Sequence, residues 1–366
     1  MSVQLAPADE QLLRDTVRDA FGRLFPGRTV RDLMASDTGW DRPTWRRLVT
    51  EVGVAGIAVS EHLGGSGLSW REAGLVFEQA GRCLGGAPLF AVAGLAVPLL
   101  LAADDDVACA RWLPGLCDGS LVATVVYADE HGRFGPDRVD VRADGERLCG
   151  SGSYVVDAAS ADVVFTPART ADGPAIFAVD RHAPEVTVAP LVTLDQTRKQ
   201  AHVAFHDAPA ARLQVADAAQ ALERGYATSC ALLACELAGV AAQCLDMTAT
   251  YARSRVQFGR PIGSFQAVKQ KLAELLIRVE SARSAAAAAV AAVGGPDLSW
   301  TASLAKAYCA EAAMRAAEEA IQLHGGIGFT WEHDAHLYFK RARTGEELLG
   351  SVREHHARVG EHLSRI

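Results

Sequence analysis

Apolar residues recur at helical spacing at both ends of the chain and at strand spacing in its middle. The first third predicts helices over Asp9 to Leu24, with Pro26-Gly27 as a stop, then Arg42 to Val52, Trp70 to Leu84, Leu89 to Ala103 and a short Val107 to Leu116. Gly53 to Gly67 reads as loop, punctuated by Gly64-Gly65 and Gly67. From Ser120 the pattern shifts to short runs rich in β-branched residues, bounded by Gly, Asp and Pro. They are Leu121–Tyr127, Val139–Ala143, Glu146–Val156, Val163–Pro167, Ala175–Val179, Val186–Pro190 and Ala201–Phe205. Such runs predict a small antiparallel sheet or barrel. Helical spacing returns at Ala218, with Asp217 placed to cap it, and continues to Ser254. Phe265 to Val293 predicts a helix roughly 40 Å long, ended by Gly294-Gly295-Pro296. Ser299 to Leu323 and Glu346 to Leu363 complete the set. Long sequential helices with short connections are the pattern of a four-helix bundle. The fold class expected is α+β, mostly α: a helical domain over 1–118, a β-domain over 119–213 and a helical bundle over 214–366.

One break in the bundle carries more than a turn requires. Between Arg255 and Gln266, Gly259, Pro261 and Gly263 interrupt the helix, and Ser264 is placed to cap the next one. A turn needs Gly and Pro; it does not need Arg255, Gln257, Gln266 and Lys269 packed around Phe258 and Phe265. A second break, Gln322-Leu323-His324-Gly325-Gly326-Ile327-Gly328, holds three glycines within four residues. One glycine would end the helix, so three imply that another backbone or a ligand comes close. Together the two breaks point to a polyanionic ligand held by Arg and bare backbone.

Composition narrows the class. The 366 residues are 49% hydrophobic and 22% charged, with a net charge of −8 that argues against nucleic acid as the main partner. Eight cysteines form no C-x-x-C pair, which fits free thiols in a reducing compartment. Met1 to Phe21 has no apolar core or cleavage site, and Leu89 to Ala103 is short for a membrane span. A soluble cytoplasmic protein with no membrane span is expected. Glu332-His333-Asp334-x-His336 has metal-ligand types at no common metal spacing, and His355-His356 reads as solvated surface of a terminal helix.

The paired motifs Tyr251-Ala-Arg-Ser-Arg-Val-Gln-Phe-Gly-Arg-Pro-Ile-Gly-Ser-Phe-Gln and Gln322-Leu-His-Gly-Gly-Ile-Gly-Phe resemble those of the acyl-CoA dehydrogenase family. Ser60-Glu61-His62-Leu63-Gly64-Gly65 is similar to the family's Pro-Glu-x-x-Gly-Gly, and the α–β–α order covers the whole chain. The resemblance implies a flavoprotein that binds FAD and acts on an acyl-CoA by α,β-dehydrogenation. A carboxylate removes the α-proton and the β-hydrogen leaves as hydride to the flavin, with an electron-transfer flavoprotein as the usual acceptor. It implies that Arg255 pairs with the pyrophosphate of FAD seated mainly in a neighbouring subunit. Gln257, Phe258, Phe265 and Gln266 then line that dinucleotide, and Gln322, Leu323 and Gly326 complete the site. At least a dimer is implied.

The sequence departs from the family where the chemistry should be. The base is usually a Glu about 25 residues after the Gly-Gly turn, and Leu349 stands at that place; the alternative position on the first bundle helix holds Ser229-Cys230. Three carboxylates remain as candidates: Glu346 and Glu347, which otherwise read as first-turn acids of the last helix, and Glu236, which otherwise reads as a buried Glu paired within the bundle. The flavin-side segments depart too, with Tyr127-Ala-Asp-Glu-His-Gly for Thr-Glu-Pro-x-x-Gly-Ser-Asp and Val156 where a Thr or Ser would donate to the flavin. The expectation is an FAD-dependent acyl-CoA dehydrogenase. The alternatives are a non-catalytic subunit completing the FAD site of a different subunit, resembling two-gene actinobacterial heteromers, and a flavin oxidase or monooxygenase on the same fold.

Overall fold

A computed structural model describes residues 5–85 and 87–365. The N-terminal helices are α1 (Pro7–Leu24), α2 (Gly27–Ala35), α3 (Arg42–Val52), α4 (Trp70–Cys83), α5 (Phe90–Ala103) and α6 (Asp106–Cys117). The first half of α5, Phe90–Ala96, is wound as π-helix. The strands follow: β1 (Ala123–Val125), β2 (Asp140–Asp144), β3 (Arg147–Val156), β4 (Val163–Thr170), β5 (Gly173–Asp180), β6 (Val186–Pro190) and β7 (Gln200–Arg212). The bundle comprises α7 (Ala218–Ser254), α8 (Gln266–Ala291), α9 (Leu298–His324), α10 (Ala335–Glu347) and α11 (Val352–Leu363), with a two-stranded ribbon, β8 (Val256–Gln257) and β9 (Arg260–Pro261), between α7 and α8.

The seven large strands run in the order β1-β4-β2-β3-β7-β5, with β6 on β7, and β5 also pairs with β4. That last pairing closes a ring of five strands, so the barrel expectation holds. Its strands are not all antiparallel: β4 runs parallel to β1 and to β2. Parallel neighbours need a connection that crosses from one end to the other, and the intervening β-hairpin of β2 and β3 provides it for β1 and β4. Val141, Leu148, Val164, Phe177, Val203 and Phe205 fill the interior.

The helices at the two ends of the chain share one apolar core, from Phe21 and Trp45 through Phe77 and Leu99 to Leu233 and Leu349. α4 and α7 lie backbone to backbone. A Cβ at Gly81 would sit 2.0 Å from the Glu236 carbonyl, and one at Gly239 would sit 1.9 Å from the Glu78 carbonyl. Among the described residues α7 is the one helix long and apolar enough to cross a membrane by composition, and 94% of that window is buried in the protein.

α1 ends at Leu24, ahead of the expected stop at Pro26-Gly27, and Pro26 then caps α2, which the sequence pattern does not show. Two sequence expectations fail here. The last helix does not begin at Glu346. α10 ends at Glu347, a turn at Leu348–Gly350 follows, and α11 starts behind a Ser351/Glu354 capping box. Ser264 does not cap α8, because its hydroxyl donates to the Pro261 carbonyl (2.7 Å) and Phe265 takes the cap position without a side-chain bond.

Candidate functional site

Two helix-end turns carry the residues that the sequence singles out. The first is the ribbon after α7. Arg255 is the C-cap residue of α7 and its carbonyl accepts from Ile262 N–H (2.8 Å), which closes the base of the ribbon. The tip is Phe258-Gly259, with φ of 52° and 77°. Two central residues with positive φ make the turn that matches strand twist in a tight hairpin. Phe258 is held in that conformation with its ring 90% exposed. Phe265 meets it edge to face, centroids 6.1 Å apart, and one face of Phe265 is covered by the Arg260 guanidinium at 4.1 Å. Gln257, Gln266 and Arg255 are exposed, and Arg255 makes no ion pair among the described residues.

The glycine turn after α9 lies beside it. Tyr251 on α7 stacks on His324 (4.4 Å), and His324 in turn meets His333 (4.2 Å), so the ends of α7 and α9 are joined by rings. Burial holds the pKa of both imidazoles below the ordinary value. Gln322 is exposed and Leu323 half-buried. A Cβ at Gly326 would meet nothing within 4 Å, so this chain's own packing does not demand glycine there. Phe329 and Trp331, 82% and 65% exposed, continue the same surface.

A further turn, Leu348–Gly350 between α10 and α11, is closed. Leu349 has φ 57°, its side chain is 1% exposed, and its carbonyl accepts from the Tyr226 hydroxyl (2.5 Å) and from His355 Nε2 (2.8 Å). His355 is therefore buried structure, not solvated surface. The adjacent side chains of a helix point in different directions, so His356 takes the exposed side. Burial pushes the His355 imidazole down to about 3. Lys306 of α9, fully buried, donates to the Glu346 carbonyl (2.8 Å) and the Gly350 carbonyl (2.6 Å). Desolvation lowers its pKa to about 8.

None of the three candidate carboxylates is free. Glu346 and Glu347 end α10, and both are paired with Arg343, Glu347 at 3.4 Å. Their reading as first-turn acids is overturned: they sit at the negative end of a helix dipole, where Arg343 offsets the unfavourable charge. Glu236 is buried between Arg198 and Arg341, the latter at 2.8 Å, as its structural reading anticipated. Arg341 also holds Asp195 (2.7 Å) and Thr197 (2.5 Å). Desolvation works against ionisation of Glu236, but the two guanidiniums outweigh it and its pKa falls below the carboxylate range. Beside this network Asp157 is buried, and desolvation raises its pKa to about 7. The network joins the loop before β7 to α7 and α10, and sequence reading missed all of it except Glu236.

Two clefts flank the closed turn. One of about 560 Å³ is lined by His131, Tyr154, Leu194, Arg343, Glu347 and Leu348. The other, of about 550 Å³, is lined by Arg138, Tyr226, Trp300, Gly350, His355 and Arg358, and Phe134 borders both. The closed turn borders one cleft through Leu348 and the other through Gly350, and the buried Leu349 side chain lines neither. The Val156 carbonyl accepts from the Thr124 hydroxyl (2.6 Å). His336 meets the Trp331 ring (4.7 Å) while His333 meets His324, and no group of three metal-ligating side chains occurs among the described residues.

The family model for the acyl-CoA dehydrogenase N-terminal domain matches residues 7–120, and that for the C-terminal domain matches residues 223–363. The acyl-CoA dehydrogenase IpdE2 of Mycobacterium tuberculosis is 38% identical over 95% of this chain and 95% of its own. This chain belongs to the acyl-CoA dehydrogenase family. Another relative, the acyl-CoA dehydrogenase FadE34 of Mycobacterium tuberculosis, is 36% identical over 94% of this chain but only 46% of FadE34. Among solved structures, the ChsE4-ChsE5 complex from Mycobacterium tuberculosis superposes with a TM-score of 0.89 at 30% identity, covering 99% of both chains. The α–β–α order of the family is the order found here. Within that family fold, the ribbon at Arg255 is open to solvent and the turn at Leu349 is closed.

Proposed function

We propose that this chain is the base-less subunit of a heteromeric acyl-CoA dehydrogenase, contributing half of the FAD site to a different subunit that carries the catalytic carboxylate. One observation carries this reading. The place for the base holds a buried leucine whose carbonyl is clasped by Tyr226 and His355, while the ribbon at Arg255 and the turn at Gly326 face outward. The residues at that open end fit half of a flavin dinucleotide. Arg255 offers an unpaired cation to the pyrophosphate, Gln257, Gln266 and Gln322 offer amides, and Gly326 lets a foreign group approach the backbone. FAD, when bound, accepts the hydride that leaves the acyl-CoA substrate. This chain's role is to hold and orient the adenosine-diphosphate end across the interface, and an electron-transfer flavoprotein is the acceptor in keeping with that role. Two comparisons support a paired architecture: ChsE4-ChsE5 is a complex of two named chains, and FadE34 is about twice the length of the region matched.

The test is the flavin spectrum of the purified chain, alone and with a base-bearing family subunit. The expected result is a colourless protein alone and a yellow complex with the partner. A yellow protein alone, holding near one FAD per chain and bleached by an acyl-CoA, would falsify the proposal.

A further inference from the structure

We infer that Arg260 is the second phosphate-binding cation of the open end, set in place by Phe265, an assignment that rests on the dinucleotide half-site proposed above. From Met247 to Ala273 the chain carries Arg253, Arg255, Arg260, Lys269 and Lys271 and no acidic residue, in a protein whose net charge is −8. Lys271 is neutralised by Glu319 at 2.6 Å. The other four make no ion pair among the described residues, so one end of the bundle holds a concentrated positive field.

Those four cations are not equivalent. Arg253 and Lys269 are exposed side chains with no fixed partner. Arg255 is fixed at its backbone by the ribbon. Arg260 stands directly across the ribbon from Gln257, and its guanidinium carbon lies over the Phe265 ring, 4.1 Å from the centroid. A cation resting on an aromatic face gives up little further side-chain freedom when an anion arrives, and stacking leaves the in-plane N–H fork free. The Phe258 ring, edge-on to Phe265, steadies the ring below. A dinucleotide pyrophosphate carries two negative charges and Arg255 supplies one positive charge. Arg260, the first residue after the tip on the facing strand, supplies the other. Phe265 accordingly acts on the dinucleotide through Arg260 on its covered face.

ADP, which contains the adenosine and pyrophosphate of the dinucleotide, is the probe. The purified chain is titrated with millimolar ADP and followed by amide chemical-shift changes at Gly259 and Gly326. The wild-type chain is expected to bind ADP weakly, and Arg255→Ala to abolish binding. Arg260→Ala should weaken it about tenfold, the scale of one charge-assisted pair. Arg260→Lys should recover only part, because an ammonium keeps the charge without the stacked fork. Phe265→Leu should weaken binding as Arg260→Ala does, whereas Arg253→Ala should leave it within twofold. The ribbon is exposed, so circular dichroism should show all variants folded. If Arg260→Ala binds within twofold of wild type while Arg255→Ala does not bind, the role of Arg260 is wrong and the half-site stands. If the wild-type chain shows no shift with ADP, the half-site reading falls and this inference falls with it.

Discussion

The ribbon tip at Phe258 and the turn at Leu349 are locally alike and functionally opposite. Each interrupts the bundle, each is followed by glycine, and each holds a large residue in the left-handed region, at φ 52° and 57°. Each therefore carries roughly 1 kcal/mol of backbone strain. The difference lies in where the polar groups around them are satisfied. At Leu349 the answer is internal: Tyr226, His355 and Lys306 all donate to carbonyls of that turn or its neighbours. At Phe258 it is external, because Arg255 and the amides of Gln257 and Gln266 face solvent. A turn whose hydrogen bonds are already made has nothing left to offer a substrate. One whose cation and amides are unspoken for can bind an anion from another molecule.

The comparison breaks first, and hardest, on the closed side. Glu236→Ala would leave buried Arg198 without its ion-pair partner and Arg341 paired with Asp195 alone, and removing one partner of a buried pair typically destabilises by about 3–5 kcal/mol. A urea titration should show the midpoint falling with the slope unchanged. A loss below about 1 kcal/mol would mean that the network is not what ties α7 and α10 to the β-domain.

Next in size is a pH effect with an unusual sign. Asp157 has its pKa raised to about 7 from 3.8, by desolvation that Arg198 and Arg341 only partly offset. The folded protein thus binds this proton more tightly than the unfolded chain does. Between pH 3.8 and 7 the stability from this group falls as pH rises, and above pH 7 the full cost of a buried charge remains. Asp157→Asn removes the titration. The variant should match wild type near pH 4 and exceed it by roughly 2–4 kcal/mol at pH 8. A difference that stays flat with pH would place the Asp157 carboxyl in water rather than in the interior.

How much of this was legible in the sequence follows from the same contrast. The open end was legible because its signals are local: glycines, a proline and a cluster of polar residues within a dozen positions. The strands were legible from β-branched alternation, and their ends shifted by a few residues except in β7, which runs on from Phe205 to Arg212. α10 was hidden because two of the positions facing the interior are His336 and Arg341, polar letters that interrupt the apolar stripe. With α10 unseen, Glu346 and Glu347 were assigned to the wrong helix. The ion network was beyond reach for a different reason. Arg341 meets Asp195 across 146 positions and Glu236 across 105, and no local pattern encodes such pairs. Lys306 did leave a trace, a lone cation among Ala305, Ala307, Cys309 and Ala310, and its lack of a local acid marks it as buried rather than solvated. The expectation of a solvated His355 fails on the same account: only its place opposite the Leu349 carbonyl shows why a histidine belongs inside.

The smallest effect on stability is expected where the effect on binding is largest. Arg255→Ala removes a side chain with no ion-pair partner among the described residues and little packing. Surface changes of this kind shift folding free energy by no more than about 0.5 kcal/mol. Thermal unfolding of the variant should therefore overlay that of the wild-type chain. In the presence of a base-bearing partner, the same variant should lose FAD from the complex while the two chains still associate, because Phe258, Phe329 and Trp331 remain exposed for contact. Retention of FAD by that complex would mean that the open end is only an interface. A large loss of intrinsic stability would mean that Arg255 serves this chain's own fold, and the contrast between the two turns would disappear.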